Sequence, residues 1–177
     1  MRTGGAHLSN NAPASSRPTM TLITTPAPTP VELQITLTQA ATRGDAKSLP
    51  YAGEVTPEEA HQLQQAGAKI IDVRFAFEHE YVGRVRGSSL ISWKIYPDGV
   101  NNPNFIEQLR VVASPDDIVL LLCRSGVRSH AAGVAATAAG YKKAYNIIGG
   151  FERDLDEQGQ RSNRGGWRHA GLPWVQS

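Results

Sequence analysis

The clearest structural signal in this sequence is an uninterrupted run of five aliphatic residues, IVLLL, at positions 118–122. A strand with one face in water alternates apolar and polar side chains, and this run has no polar member. A Pro-Asp-Asp turn that begins at Pro115 precedes it, and a polar stretch begins directly after Cys123. The run therefore predicts a central strand covered on both faces, as in a parallel sheet.

Shorter segments on either side alternate between strand and helix signals. Residues 70–73 and 145–148 have the short, apolar pattern of buried strands. Thr56, Pro57 and Glu59 together form a typical helix start, with a capping box and a proline in the first turn. Further predicted elements are a short helix within 75–82, a short strand at 89–92, a helix at 102–112, an alanine-rich helix after 128 and a last short helix at 151–157. We therefore expect a single α/β domain with an open, mainly parallel sheet and helices on both faces.

The composition of the 177 residues is that of a globular protein, with 40% hydrophobic and 19% charged residues. No apolar run approaches the ~20 residues that a membrane-spanning helix needs, so we expect no membrane partner. The net charge of +2 arises within residues 1–49, and residues 50–177 are formally neutral. This balance gives no basic footprint for nucleic acid.

The first 50 residues differ in composition from the rest of the chain. They are rich in Pro, Ala, Ser and Thr, and their first acidic residue is Glu32. Such composition favours a flexible segment, and residues 24–30 in particular are predicted to be extended, without regular structure. We therefore predict a flexible segment at residues 1–50 and a folded domain at residues 51–177.

Cys123 is the single cysteine of the chain. An intramolecular disulfide and a CxxC metal site are therefore both excluded, and a reducing, cytoplasmic setting is expected. In open α/β sheets, ligand and catalytic sites form at the carboxyl ends of the strands, where Cys123 is predicted to lie. A following helix, the loop N–H groups and the guanidinium of Arg128 all favour the reactive thiolate over the thiol.

The stretch after the central strand resembles the active-site loop of the rhodanese family of sulfurtransferases. The loop residues that carry this resemblance are Cys123, Arg124, Ser125, Gly126, Val127, Arg128 and Ser129. Supporting marks occur in the family's order: Asp72 and Arg74 in the first strand with Glu78 beyond it, the glycine-bracketed turn at 83–87, and Gly149-Gly150 before an aromatic residue. The resemblance covers about residues 53–175.

The chain also departs from the family pattern. Arg84 and Arg86 stand where many members have His and Pro, and Phe151 stands where Trp is common. These positions lie away from the nucleophile loop. They bear on substrate or partner preference more than on the reaction.

The resemblance implies a two-step sulfur transfer without a metal or an organic cofactor. The Cys123 thiolate attacks the outer sulfur of a donor such as thiosulfate and becomes a persulfide, and cyanide or a thiol then removes that sulfur. Arg128 is expected to hold the anionic donor and stabilise the thiolate, while the loop N–H groups cradle the sulfur. The resemblance makes Asp72 and Arg74 supporting residues near the site; for Asp72 we favour the alternative that it accepts hydrogen bonds from loop amides and only braces the sheet. The expected partners are a small sulfur-containing anion and a thiol or cyanide acceptor, with an acceptor protein as a further candidate.

Two other functions remain open. Phosphatases and arsenate reductases on a related fold resemble Cys-x5-Arg, whereas Cys123 and Arg128 give Cys-x4-Arg, a tighter loop. A regulatory module that keeps the fold and binds a partner is the second alternative. Such modules often lose the cysteine, and this chain retains both Cys123 and Arg128.

Overall fold

The structure is a computed structural model that describes residues 27–177. Its helices are α1 (Pro30–Ala46), α2 (Pro57–Gln65), α3 (Phe105–Val112) and α4 (Val127–Ala138), with a π-helical turn at Glu78–Val82. Its strands are β1 (Gly53–Val55), β2 (Lys69–Asp72), β3 (Arg84–Val85), β4 (Ser89–Leu90), β5 (Lys94–Ile95), β6 (Val100–Asn101), β7 (Val119–Leu122), β8 (Ala144–Ile147) and β9 (Trp174–Val175). The five-stranded main sheet has the order β1-β8-β7-β2-β4, and all its neighbouring strands are parallel.

Strand β7 lies at the centre of this sheet, as its apolar run predicts. Val119 and Leu121 pack into one hydrophobic cluster with residues of α3 and α4. Leu120 and Leu122 pack into a second cluster with residues of α1 and α2. Successive side chains of a strand point to opposite faces, so a strand covered on both faces needs apolar residues at every position. The predicted α/β fold, with a parallel sheet between helices, is confirmed.

Helix α2 begins where its capping signal predicts. The backbone N–H of Glu59 donates to Thr56 Oγ1 at 3.2 Å, and the backbone N–H of Thr56 donates to Glu59 Oε2 at 2.8 Å. Leu63 is buried on its inner face. This helix covers the sheet on the face where Leu120 and Leu122 point.

Helix α1 corrects the prediction that residues 1–50 are flexible. Thr29 and Glu32 form a capping box, and Ala40 is fully buried against the sheet. Arg43 forms an ion pair with Glu59 of α2, and Lys47 forms one with Glu54 of β1. Docking supplies the stabilisation that a short isolated helix lacks in water, so composition alone gave the wrong answer. Residues 1–26, the rest of the predicted flexible segment, lie outside the described residues.

The predicted last helix at 151–157 is also wrong. The backbone N–H of Phe151 donates to the Cys123 carbonyl at 2.8 Å, and those of Glu152 and Arg153 donate to the Arg124 carbonyl at 2.9 and 3.0 Å. These N–H groups are thus bound to the segment that follows β7. The segment after β8 therefore buttresses the cysteine loop and does not coil into a helix.

The C-terminal tail docks on the domain. Trp167 is fully buried, and its indole N–H donates to the Pro173 carbonyl at 3.0 Å. Strand β9 pairs antiparallel with β3, which adds a small second sheet. None of the helices within residues 27–177 is long and apolar enough to cross a membrane.

Candidate active site

Cys123 directly follows the last residue of β7 and is 1% exposed. Its Sγ accepts a hydrogen bond from the backbone N–H of Gly126 at 3.1 Å and another from the hydroxyl of Ser129 at 3.3 Å. Gly126 has a φ of 111°, in the left-handed region that favours glycine. This conformation turns the loop back on itself, so that an N–H group three residues along the chain meets the sulfur.

The N-terminus of α4 follows this turn at once. Gly126 is its N-cap, and Val127–Ala138 form the helix. The partial positive charge of a helix N-terminus and the two donors at Sγ favour negative charge on the sulfur. The structure therefore provides two of the three effects that the sequence predicts for a reactive cysteine.

The third predicted effect is the charge of the Arg128 guanidinium. This guanidinium does not donate to Sγ within hydrogen-bonding distance. It binds the Glu78 carboxylate at both ends, with Nη1–Oε2 at 2.6 Å and Nη2–Oε1 at 2.8 Å. Burial alone would raise the pKa of Glu78, but hydrogen bonding to Arg128, its charge and the Phe75 N–H group hold that pKa below its ordinary value. Burial alone would lower the pKa of Arg128, and Glu78 raises it, with the negative charge of Cys123 and Asp72 adding to the effect. Arg128 thus reaches the cysteine through its charge.

The other loop residues differ in exposure. The side chain of Arg124 is exposed and has no hydrogen-bond partner among residues 27–177. Val127 is exposed as well, whereas Ser125 and Gly126 are partly buried. Ser129 is fully buried, and its hydroxyl oxygen also lies 3.1 Å from the Gly126 carbonyl oxygen, which competes with Sγ for the single hydroxyl proton. The loop is therefore anchored at its two ends and open to solvent between them.

Asp72 and Arg74 form an ion pair with no exposed surface. Arg74 donates from Nη2 to Asp72 Oδ2 at 2.6 Å and to the Gly83 carbonyl at 2.7 Å. Its guanidinium lies 4.4 Å from the centre of the Phe151 ring, and Phe151 in turn binds the Cys123 carbonyl. This geometry agrees with a bracing role for the pair. Phe151 lies between the Arg74 guanidinium and the cysteine loop, so the pair supports the loop indirectly.

Two residues that the sequence analysis did not assign to the site hold the loop in place. A Cβ atom on Gly150 would lie 2.3 Å from the Cys123 carbonyl oxygen, so only glycine fits at this position. Asn146 donates from Nδ2 to the Gly126 carbonyl at 3.3 Å. The glycine pair was a signal for Gly150, but Asn146 lies inside a strand pattern that does not reveal which loop it faces.

An aromatic cluster adjoins the arginine of the site. Phe75 and Phe77 stack with their ring centres 5.4 Å apart, and Tyr96 meets both rings edge-on. The Arg128 guanidinium lies 5.3 Å from the centre of the Phe75 ring. Phe77 and Tyr96 are exposed, so the site has an apolar rim next to its charged pair.

A cavity of about 390 Å³ opens beside the loop. Ser125, Gly126 and Val127 form one wall, and His130 and Asn146 contribute to another. Burial raises the pKa of Tyr51 to about 12, with the Glu54 charge acting in the same direction, and the Tyr51 hydroxyl lies 2.8 Å from His130 Nδ1. The open middle of the loop therefore faces this cavity, while the sulfur itself is covered.

Comparisons with known proteins agree on one family. The family model described as "Rhodanese-like domain" matches residues 56–156. Thiosulfate sulfurtransferase 18 of Arabidopsis thaliana is 35% identical over 101 residues, which cover 55% of this chain and 74% of that protein. Thiosulfate sulfurtransferase GlpE of Haemophilus influenzae is 28% identical over 127 residues, which cover 68% of this chain and 91% of that protein.

A solved structure is similar to most of this chain. The crystal structure of Rv0390 from M. tuberculosis is similar with a TM-score of 0.65 and 39% sequence identity, over 72% of this chain and 99% of that one. The family match covers more than half of this chain and includes β7, the cysteine loop and α4. The chain therefore belongs to the family of rhodanese-like domains.

Proposed function

We propose that this protein is a sulfurtransferase that carries a sulfane sulfur as a persulfide on Cys123. The observation that supports this best is the environment of Sγ, which accepts from the Gly126 N–H and the Ser129 hydroxyl at the N-terminus of α4. Such donors favour the thiolate, which is the nucleophilic form of cysteine. The relatives named thiosulfate sulfurtransferase support the same activity.

The first step is attack of the Cys123 thiolate on the outer sulfur of a donor such as thiosulfate. A new S–S bond forms on Cys123, the S–S bond of thiosulfate breaks, and sulfite leaves with the electron pair. The loop N–H groups are proposed to hydrogen-bond the transferred sulfur. The positive charge of Arg128 attracts the negatively charged sulfur donor. Arg124, an exposed residue of the loop, is a second cation for the incoming anion.

In the second step an acceptor removes the outer sulfur. Cyanide or a thiolate attacks that sulfur, the S–S bond on Cys123 breaks, and the Cys123 thiolate is regenerated. Cyanide thereby becomes thiocyanate, and a thiol becomes a persulfide. A single cysteine suffices for this ping-pong cycle, with no resolving thiol, and a reducing compartment such as the cytoplasm suits it.

Intact-protein mass spectrometry tests the proposal directly. After incubation with thiosulfate and its removal, we expect one added sulfur, about 32 Da, that disappears on addition of cyanide. Because the chain has one cysteine, an added sulfur that cyanide removes is assigned to Cys123, whereas oxidation of the cysteine or of the two methionines would leave a mass that cyanide does not remove. Cys123→Ser is the matched control, since it keeps a side chain of similar size and removes the thiolate.

The same preparation separates sulfur transfer from the two alternatives. A phosphatase would hydrolyse aryl phosphates without taking up sulfur, whereas the short loop between Cys123 and Arg128 leaves little room for a tetrahedral oxyanion. A regulatory module would show neither reaction. Either result, in protein that is folded, would overturn the proposal.

A further inference from the structure

Glu78 reaches the nucleophile loop from a distant part of the chain. It lies in the π-helical turn that follows β2, 50 residues before Arg128, and is 6% exposed. One carboxylate binds both terminal nitrogens of the arginine, and its Oε2 also accepts the backbone N–H of Phe75 at 3.1 Å. Glu78 thus fixes the guanidinium next to the Phe75 ring.

This pairing changes what Arg128 does to the sulfur. An unpaired guanidinium near a cysteine favours the thiolate strongly, because opposite charges within ~4–6 Å favour the charged form. Here the carboxylate offsets that charge, and the direct donors to Sγ are the Gly126 N–H and the Ser129 hydroxyl. The Cys123 thiolate therefore experiences the combined charges of Arg128 and Glu78, which stabilise it less than the arginine alone would.

A weaker field has a chemical advantage. The intrinsic nucleophilicity of a thiolate falls as its proton affinity falls, with a Brønsted coefficient of about 0.4–0.5. A cysteine over-stabilised by a bare arginine is deprotonated but attacks slowly. In the second step the same thiolate leaves the persulfide, which a strong positive field favours, so the two steps together favour a field of intermediate strength.

We propose that Glu78 is a positioning residue of the sulfur-transfer reaction, which acts through Arg128 by fixing its guanidinium and offsetting its charge toward Cys123. The inference rests on the proposed function and deepens it. Glu78 itself touches neither the sulfur nor, in this arrangement, the donor. Its effect is to keep the Cys123 thiolate reactive.

Two further buried charges act on the Glu78–Arg128 pair. Arg74 lies close enough to Glu78 to act on it, and Asp72 lies close enough to act on Arg128. Asp72 and Arg74 neutralise each other in their own buried pair. The net field at the cysteine is therefore sensitive to loss of the Glu78 charge.

The test compares Glu78→Gln with Glu80→Gln in the full chain. Glu80 is an exposed residue of the same turn, so its substitution removes the same charge without touching Arg128. The readout is the pH profile of Cys123 alkylation by iodoacetamide. In Glu78→Gln we expect the midpoint to fall by about one pH unit, the lower end of the effect of one nearby charge. At pH values below both midpoints, the larger thiolate fraction then makes alkylation of Glu78→Gln roughly threefold faster than that of wild type, although its thiolate is the weaker nucleophile.

Sulfur transfer is expected to change in the opposite direction. Above both midpoints, where each protein is fully thiolate, kcat/KM of Glu78→Gln for thiosulfate falls roughly threefold or more. Glu80→Gln matches wild type in both assays. Glu78→Asp keeps the charge on a shorter arm, so it keeps the wild-type midpoint and loses only part of kcat/KM.

Other outcomes overturn the inference. A midpoint in Glu78→Gln that is unchanged or higher shows that Glu78 merely supports the loop, since a loosened loop loses its hydrogen bonds to Sγ. If the midpoint of Glu78→Asp shifts as far as that of Glu78→Gln, the charge of residue 78 does not set the reactivity of Cys123. If Glu78→Gln fails to fold, Glu78→Asp compared with wild type still tests the inference. Alkylation does not depend on sulfur transfer, so a wild type without a sulfur adduct refutes the proposed function separately.

Discussion

Two arginine–carboxylate pairs lie near the carboxyl edge of the sheet, and they differ in exposure. The side chains of Asp72 and Arg74 are 0% exposed, whereas those of Glu78 and Arg128 are 8% and 15% exposed. The first pair joins residues two apart in sequence, and the second joins two loops across the site. A fully buried pair is costly to break because the remaining charge stays buried, whereas a slightly exposed pair next to a nucleophile is able to adjust the reactivity of that nucleophile.

Asp72→Ala is expected to have the largest effect, and on stability. It leaves the Arg74 guanidinium buried without its carboxylate, which typically costs about 3–5 kcal/mol in the free energy of unfolding. Urea unfolding followed by circular dichroism measures the change. Asp98→Ala, at an exposed position, serves as the control and should be close to neutral. A loss near that of the control would mean that the two pairs do not differ as burial indicates.

Arg128→Ala should act mainly on activity. Loss of one charge-assisted contact costs about 1.5–3 kcal/mol, or roughly ten- to a hundredfold in kcat/KM for thiosulfate. Its effect on the free energy of unfolding should be smaller than that of Asp72→Ala, because the Glu78 side chain is 8% exposed and keeps the Phe75 N–H as a donor, whereas the Arg74 side chain has no exposed surface. Steady-state thiocyanate formation provides the measurement. Arg124→Ala, which removes an exposed arginine of the same loop, should lose less; an equal loss would contradict the separate role of Arg128.

Arg128→Lys makes the comparison finer. The ammonium keeps the positive charge but cannot bind both oxygens of Glu78 in parallel. With one charge-assisted hydrogen bond in place of two, we expect a loss of about 1 kcal/mol, roughly fivefold in kcat/KM. The same assay distinguishes charge from geometry: wild-type activity in this variant would show that charge alone suffices.

The smallest expected effect is a pH dependence of stability. The pKa of Glu78 lies below its ordinary value of 4.5 in the folded protein, so its ion pair contributes fully above that pH. The contribution is lost as pH falls through the lower folded value. Thermal unfolding from pH 7 to pH 3 should therefore show wild type and Glu78→Gln converging at the acid end. Parallel curves across that range would argue against a depressed pKa.

The sequence predicted the central part of the fold because the relevant signals are local. The run at 118–122 requires a strand covered on both faces, and the cap at Thr56 starts α2 by contacts three residues apart. The cysteine loop was equally readable, since Cys123, Gly126 and Ser129 meet within one turn of chain. In each case the partners are neighbours in sequence.

The failures concern segments whose conformation depends on distant partners. Composition predicted a flexible segment before residue 50, but α1 is held by ion pairs to Glu54 and Glu59. A helix was predicted at residues 151–157, but the N–H groups of Phe151 and Glu152 are bound to the cysteine loop. Local propensity differs by less than about 1 kcal/mol per ordinary residue, so such contacts override it.

Sequence alone therefore determined the fold class, the position of Cys123 at a strand end and the turn that wraps its sulfur. The pairing of Glu78 with Arg128 across 50 residues, and the support of the loop by Gly150 and Asn146, became visible in the folded structure. The physical reason is the range of the interactions. Apolar periodicity, helix caps and glycine turns act between near neighbours, whereas the charge environment of a buried sulfur depends on which distant side chains the packed sheet brings together.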